Sequence, residues 1–282
     1  MRKILLYIVY GDRQVYYDGA KFSFLTFMKW ISITNKVEIV ILTEKPDEFI
    51  NYPVTILPIN KEQKNSWSLN NSYHFRIKNR GLCYVIDKLA LRNEDKILFV
   101  DTDTYFNKSP IPLFELIQPS QALLYLNEGL IYKRKRFNIF IDSLEGHIID
   151  LGGFSYQITK ESAMWGALMI GVMPNMLKSL ELADKLMLKF IDMVPVHTIE
   201  QFSLSEILAE DYMIVEGKKY ISLYSTSGKT EYAKVILTKF FKQNTGLSNN
   251  EKIINAQRVK IKRPISVIIK QRLLKLTKNN AK

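Results

Sequence analysis

The sequence predicts an α/β fold, a mostly parallel sheet with flanking helices. Three observations carry that prediction. Short apolar runs of strand length recur through the first hundred residues, helix-patterned segments separate them, and the runs lack polar alternation, as strands buried on both faces should. The first run, Ile4 to Val9, follows Met1-Arg2-Lys3 and has the flavour of a secretion signal, but Asp12 and Arg13 cut it short. It reads as a first strand. Phe22 to Ile33 reads as a helix, with Phe24, Leu25, Phe27, Met28 and Ile31 mostly on one side. Val37 to Leu42 is β-branched and ends at the turn Thr43-Glu44-Lys45-Pro46. Val54 to Leu57 is a third strand, Phe75 to Leu91 a helix, and Lys96 to Val100 a fourth strand that runs into Asp101.

After Pro110 the alternation weakens. Leu123 to Gly153 mixes aromatic, basic and apolar residues, and its run Lys133-Arg134-Lys135-Arg136 reads as a solvated loop or face. Ala163 to Val172 reads as a buried strand, with Asn175 to Phe190 and Thr198 to Ala209 as helices.

A chain of 282 residues with 47% hydrophobic content can bury one large or two small cores, which excludes a disordered or collagenous chain. One cysteine, Cys83, excludes an internal disulfide and fits a reducing compartment. No apolar run approaches the roughly 18 residues that span a bilayer. A cytoplasmic protein is expected, peripheral on the inner face of the cell membrane if its charge meets lipid. Thirteen of the 40 Lys and Arg lie between Ala233 and Lys282, with a single acid, Glu251, so this segment carries the whole net charge of +12. Residues 1–232 are neutral, and 233–282 reads as a basic C-terminal helical tail. From Pro264 onward Ile265, Ile268, Ile269, Leu273 and Leu276 lie near one face of a helix, interrupted by Arg272. Such a helix suits an anionic membrane surface or docking on the body with a solvated rim. No nucleic-acid-binding motif accompanies the charge, so no nucleic acid partner is expected.

The segment richest in chemistry is Lys96-Ile-Leu-Phe-Val-Asp101-Thr102-Asp103, an apolar strand that delivers two carboxylates at its exit. Hard oxygen ligands of this kind suit Mn²⁺ or Mg²⁺. The alternative is a strand-ending turn whose Asp side chains bond nearby backbone amides. Upstream, Arg76 and Arg80 share a helical face while Lys78 lies on another. A cation there could hold a phosphate or a sugar hydroxyl, or simply be solvated at an exposed helix start. A phosphatase of the haloacid-dehalogenase type would want Thr or Val where Tyr105 stands, and a nucleotidyltransferase would want a glycine-rich loop where Tyr10-Gly11-Asp12-Arg13 has one glycine. Walker, G-x-G-x-x-G, H-E-x-x-H, C-x-x-C and G-x-S-x-G motifs are absent.

On these residues the chain resembles a nucleotide-sugar glycosyltransferase of the GT-A fold, nearest in pattern to the retaining galactosyltransferase and glycogenin-like group. Ile4 to Gly11 resembles the first strand, whose end meets the nucleotide base. Phe75-Arg76-Ile77-Lys78 resembles the basic segment that reaches the donor, and Leu98 to Asp103 is similar to the metal-binding strand-D-x-D. Trp165 to Gly171 looks like the strand beside the acceptor, and Glu200-Gln201 like the acidic-Gln pair facing the donor sugar. The resemblance implies a nucleotide-binding half over 1–110 and an acceptor half over 111–232. It further implies a nucleoside diphosphate sugar donor, such as a UDP-sugar, a glycan or lipid-linked acceptor in surface polysaccharide assembly, and metal ligation by Asp101 and Asp103. Donor contacts would come from Tyr10, Gly11, Thr43, Arg76, Lys78, Asp101 and Thr102, with Glu200 and Gln201 catalytic. The chain departs from the pattern at Gly166, where Asn is usual, and at Leu168, where Gly is usual. No His follows His197, so the family's frequent third metal ligand is missing or of another type. Ser225 to Lys229 could contact the diphosphate or form a surface turn, and the turn is favoured. Thr198 and Gln201 also fit a capping box. A non-catalytic sugar-nucleotide or glycan-binding protein on the same scaffold is the alternative.

Overall fold

The computed structural model describes residues 1–225 and 227–269. The first half runs β1 (Lys3–Val9), α1 (Gln14–Met28), β2 (Glu38–Thr43), β3 (Thr55–Pro58), α2 (Lys61–Trp67), α3 (Arg76–Lys88) and β4 (Lys96–Val100). Then come β5 (Thr104–Tyr105), α4 (Pro112–Leu116), β6 (Gln121–Leu130), α5 (Asn138–Leu144), β7 (Ile149–Asp150), β8 (Ser155–Tyr156) and β9 (Ala163–Val172). The last elements are α6 (Leu177–Met193), α7 (Ile199–Asp211), β10 (Met213–Glu216), β11 (Ser222–Leu223), α8 (Ser227–Gln243) and α9 (Asn249–Ala256).

Seven strands form one sheet in the order β10-β6-β9-β4-β1-β2-β3. β1 pairs in parallel with β2 and β4, β2 with β3, and β10 with β6; β9 alone runs the other way, antiparallel to β4 and β6. The protein is therefore α/β with a mostly parallel sheet. Because successive side chains on a strand point to opposite faces, β1 feeds two cores. Ile4, Leu6 and Ile8 join the layer of α3, α6 and α7, while Leu5, Tyr7 and Val9 join that of α1 and α8. This two-sided burial is why the runs show no polar alternation.

The order of the strands fixes where a ligand can bind. The chain builds outward from β1 through β2 to β3, then returns to place β4 on the other side of β1. A crevice opens beyond the carboxyl ends of strands at such a reversal. The ends of β1, β2 and β4 share one sheet edge, and Glu44 beyond β2 accepts a 2.7 Å hydrogen bond from the Gly11 amide beyond β1.

Two expectations need correction. The first helix begins at Gln14 rather than Phe22, and Tyr17 and Ala20 are fully buried. Its extra turns contain Gly19, a residue poor for helices, and the structure supplies the reason. A Cβ there would lie 2.4 Å from the Thr102 carbonyl oxygen, so only glycine lets α1 approach the end of β4 this closely. The basic segment is also not a separate tail over its described length. The position 232/233 falls inside α8, and Ala233, Leu237, Phe240, Ala256 and Ile261 are buried in the α1-side core. Residues 265–269 turn helical again, whereas Leu273, Leu276 and Arg272 lie outside the described residues.

Candidate functional site

A cleft of about 340 Å³ opens at the β1/β4 reversal, and Tyr10, Tyr16, His74, Phe75, Lys78 and Asp101 to Asp103 contribute to its walls. Its volume falls within the usual range for small-molecule sites. The backbone of the D-x-D segment is held by hydrogen bonds from three sides. The Asp101 amide donates to the Leu168 carbonyl (2.8 Å), extending the β4–β9 pairing by one residue. Thr104 Oγ1 donates to the Asp101 carbonyl (2.6 Å), while the Tyr224 amide donates to the Asp103 carbonyl (3.1 Å). The Tyr224 hydroxyl donates to the Thr102 carbonyl at 3.2 Å. These bonds engage main-chain groups and leave the carboxylates for other work. The Asp101 side chain faces Lys78, and Oδ1 of Asp103 is buried with no hydrogen-bond partner among the described residues. The one backbone amide that meets either carboxylate is Asp103's own, at the Asp103 carboxyl, among the described residues.

Lys78 is the centre of the cluster. Its Nζ lies 3.5 Å from Asp101 Oδ1 and 3.2 Å from Glu200 Oε1, and it donates to the Ala167 carbonyl at 3.0 Å. Burial alone would lower its pKa, but the Asp101 and Glu200 carboxylates outweigh burial and raise it, so the ammonium stays charged. Burial raises the Asp101 carboxyl, against the pull of Lys78. Burial and then the Asp101 charge push Asp103 up to about 7. Burial pushes Glu200 up to about 7 against the attraction of Lys78. One ammonium thus faces the carboxylates of Asp101 and Glu200, with the Asp103 carboxyl beside Asp101.

The resemblance gives Arg76 and Lys78 the same donor contact, and the structure separates them. The Arg76 guanidinium makes a bidentate pair with Asp184 on α6, both bonds 2.7 Å, and donates to the Ser66 and Trp67 carbonyls. Arg80 lies on the same face, 3.5 Å from Asp184. Arg76 therefore ties α3 to α6 and does not line the cleft; neither it nor Arg80 is a solvated charge at a helix start. Thr43 is likewise buried outside the cleft, where its hydroxyl accepts from the Lys45 amide. Tyr10 is in the cleft wall with its hydroxyl donating to the His74 carbonyl, and Thr102 is also in the wall. Gly11 sits at φ +86°, a left-handed conformation suited to glycine, and its carbonyl accepts from the Tyr17 hydroxyl.

Glu200 and Gln201 stand at the start of α7, and neither lines the cleft. Glu200 is 2% exposed and sits behind Lys78. The Thr198–Gln201 capping box does not form. Tyr73 takes over part of that role, accepting from the Glu200 amide and donating to the His197 carbonyl, both at 2.9 Å. Gln201 is used elsewhere because β9 outruns β4. The β4 pairing covers Met169 to Val172, leaving the earlier amides of β9 without a strand on that side. Side chains of α7 meet them: Gln201 accepts from Ala167 (3.3 Å), Ser205 from Trp165 (3.0 Å) and Glu206 from Ala163 (3.0 Å). Gly166 fits the same junction, since a Cβ would lie 3.3 Å from the Tyr125 ring and 3.4 Å from Glu128 Oε1.

Sequence reasoning passed over Tyr73, Phe75 as an aromatic wall, and Tyr224. Their only signal was aromatic residues flanking a basic segment. Ser225 lines the cleft, and Ser227 to Lys229 are the first turn of α8 rather than a surface turn.

Two groups at the cleft could contribute to holding a divalent ion. Asp101 and Asp103 supply hard oxygens, and the unpartnered Oδ1 of Asp103 is an atom that such an ion would satisfy. Mg²⁺ commonly takes one or two carboxylates and completes its shell with waters and phosphate oxygens. Among the described residues no group of three or more His, Cys, Asp or Glu is arranged to hold a metal. The chain matches no protein-family model and no curated protein sequence. Its function is therefore read from the site's own groups.

Proposed function

We propose that this protein is a GT-A-type glycosyltransferase that moves a sugar from a nucleoside diphosphate donor, such as a UDP-sugar, to a hydroxyl of a glycan or lipid-linked acceptor. The observation that carries the reading is the pair Asp101 and Asp103 at the exit of β4, in the cleft at the strand reversal, with a buried carboxylate oxygen left unpartnered. Asp101 and Asp103 would hold Mn²⁺ or Mg²⁺, which when bound would neutralise the diphosphate as it leaves. Tyr10, Tyr16 and Phe75 give the donor's base apolar faces at the end of β1. Lys78 presents a fixed positive charge beside Asp101 without the cost of ordering a flexible chain, because Glu200 and the Ala167 carbonyl already hold it. Glu200 is in this reading a positioning residue that acts through Lys78, and Gln201 shapes the β9 edge beside the acceptor.

A panel of nucleotide sugars, each with and without Mn²⁺, tests the proposal by thermal stabilisation, since a ligand that binds the native state raises Tm by mass action. One donor should stabilise the protein more with Mn²⁺ than without it. No shift with any nucleotide sugar would sink the reading.

The second reading is a non-catalytic sugar-nucleotide or glycan-binding protein. It is favoured by the engagement of both Glu200 and Gln201 away from the cleft. Donor stabilisation without turnover, either to an acceptor or to water, would select it.

A further inference from the structure

We propose that the outer surface of α8 and α9, continuous in sequence with the helical turn at 265–269, is where this protein lies against an anionic lipid membrane. The inference does not rest on sugar transfer. It moves membrane contact from a free tail to the folded body.

The inner sides of both helices are committed to the core over α1, with Ala233, Leu237, Phe240 and Ala256 buried. Their outer sides carry exposed Lys234, Lys239 and Lys242 on α8, and exposed Arg258 and Lys260 follow α9. None of these five makes an ion pair among the described residues. From 233 onward the sole acid is Glu251, and it is spent on the N-terminus of α9, accepting from the Ser248 amide at 2.9 Å. Glu231, exposed on α8, is the only other acid on the two helices. By contrast the outer side of α6, of the same length as α8, sets Lys178, Lys185 and Lys189 against exposed Glu181 and Asp192, while its third acid, Asp184, is buried against Arg76.

Charge alone would suit any polyanion. Aliphatic side chains among the charges select lipid: Val235 is 65% exposed and Ile254 54%, and beyond them Ile265 is 76% and Ile269 53% exposed. A phosphate backbone gains nothing from such residues, whereas a bilayer interface buries them while its anionic headgroups meet the lysines. The placement has a geometric consequence. Thr230 in α8 lines the cleft, as does Ser225 just before the helix, so the helix that meets lipid also forms part of the cleft wall.

The test uses the full chain and sedimentation with vesicles of phosphatidylcholine alone or mixed with phosphatidylglycerol, at moderate salt. Wild type should bind the mixed vesicles, release with rising salt, and ignore phosphatidylcholine. Lys239→Gln/Lys242→Gln/Arg258→Gln should weaken partitioning on the order of a hundredfold with Tm unchanged, since all three side chains are exposed. Val235→Ser/Ile254→Ser should weaken it several-fold without altering charge. Wild-type binding by the triple variant would overturn the proposal. So would a loss confined to Lys270→Gln/Arg272→Gln/Lys275→Gln, or capture of duplex DNA in preference to vesicles at the same salt.

Discussion

The two faces of α3 carry cations two residues apart, and they have opposite uses. Arg76 looks toward α6, where Asp184 takes its guanidinium in two 2.7 Å bonds. Lys78 looks toward the sheet edge, where its ammonium is shared between Asp101, Glu200 and a backbone carbonyl. Arginine suits the first place because a planar fork matches one carboxylate bidentately; lysine suits the second because a compact charge can serve several acceptors. The comparison teaches that the role of a buried cation is set by what its partners still need. Asp184 is satisfied by Arg76. The acids around Lys78 are not satisfied by it.

The comparison breaks most visibly on removal of each cation in turn. Arg76→Met leaves Asp184 buried with only Arg80 nearby, and a broken buried pair costs about 3–5 kcal/mol. Urea unfolding should show this loss at both pH 5 and pH 8. Lys78→Met should cost less, about 2 kcal/mol at pH 8, and less again at pH 5, where the surrounding acids take up protons and no longer need a counter-charge. Equal losses at both pH values for Lys78→Met would show that the cluster does not titrate as described.

A smaller effect sharpens the same contrast. Asp103 and Glu200 both have pKa values raised to about 7 in the folded protein, from 3.8 and 4.5. Across the window from roughly pH 4.5 to 7 the native state keeps protons that the unfolded chain has released, so stability falls as pH rises. The contribution of these groups is fully present below their unfolded values and lost above 7. Glu200→Gln removes one of the two and should flatten the decline between pH 5 and 8 by on the order of 1 kcal/mol, measured without divalent ions. An unchanged slope would remove Glu200 from the titrating cluster.

Much of this fold was legible in the residues. The apolar runs of β1, β2, β4 and β9 lie within a residue of their observed bounds, because strands buried on both faces must be continuously apolar. The helical spacing of α3 also placed Arg76 and Arg80 on one face and Lys78 on another. What it could not show was which face met α6, since Asp184 arrives a hundred residues later in the chain. β6 was hidden because Asn127-Glu128-Gly129 interrupts its apolar run at an irregularity in the pairing with β9. The early turns of α1 were hidden by Gly19, whose reason is a carbonyl across the interface. In the basic segment the charge was plain, but five buried apolar residues tying it to the α1-side core were hidden by the lysines around them. Of the site, the D-x-D and Lys78 were readable from local pattern. The engagement of Gln201 by β9 was not, because it follows from the unequal lengths of two strands.

The central claim is that Asp101 and Asp103 grip a divalent ion together with a diphosphate. Calorimetric titration of Mn²⁺ into the full chain, with and without UDP, measures it directly, with Asp103→Asn as the control. The expected result is Mn²⁺ binding that UDP strengthens and that Asp103→Asn weakens at least tenfold, a change of about 1.4 kcal/mol. Binding that is indifferent to UDP and survives Asp103→Asn, or no binding in either condition, would contradict it.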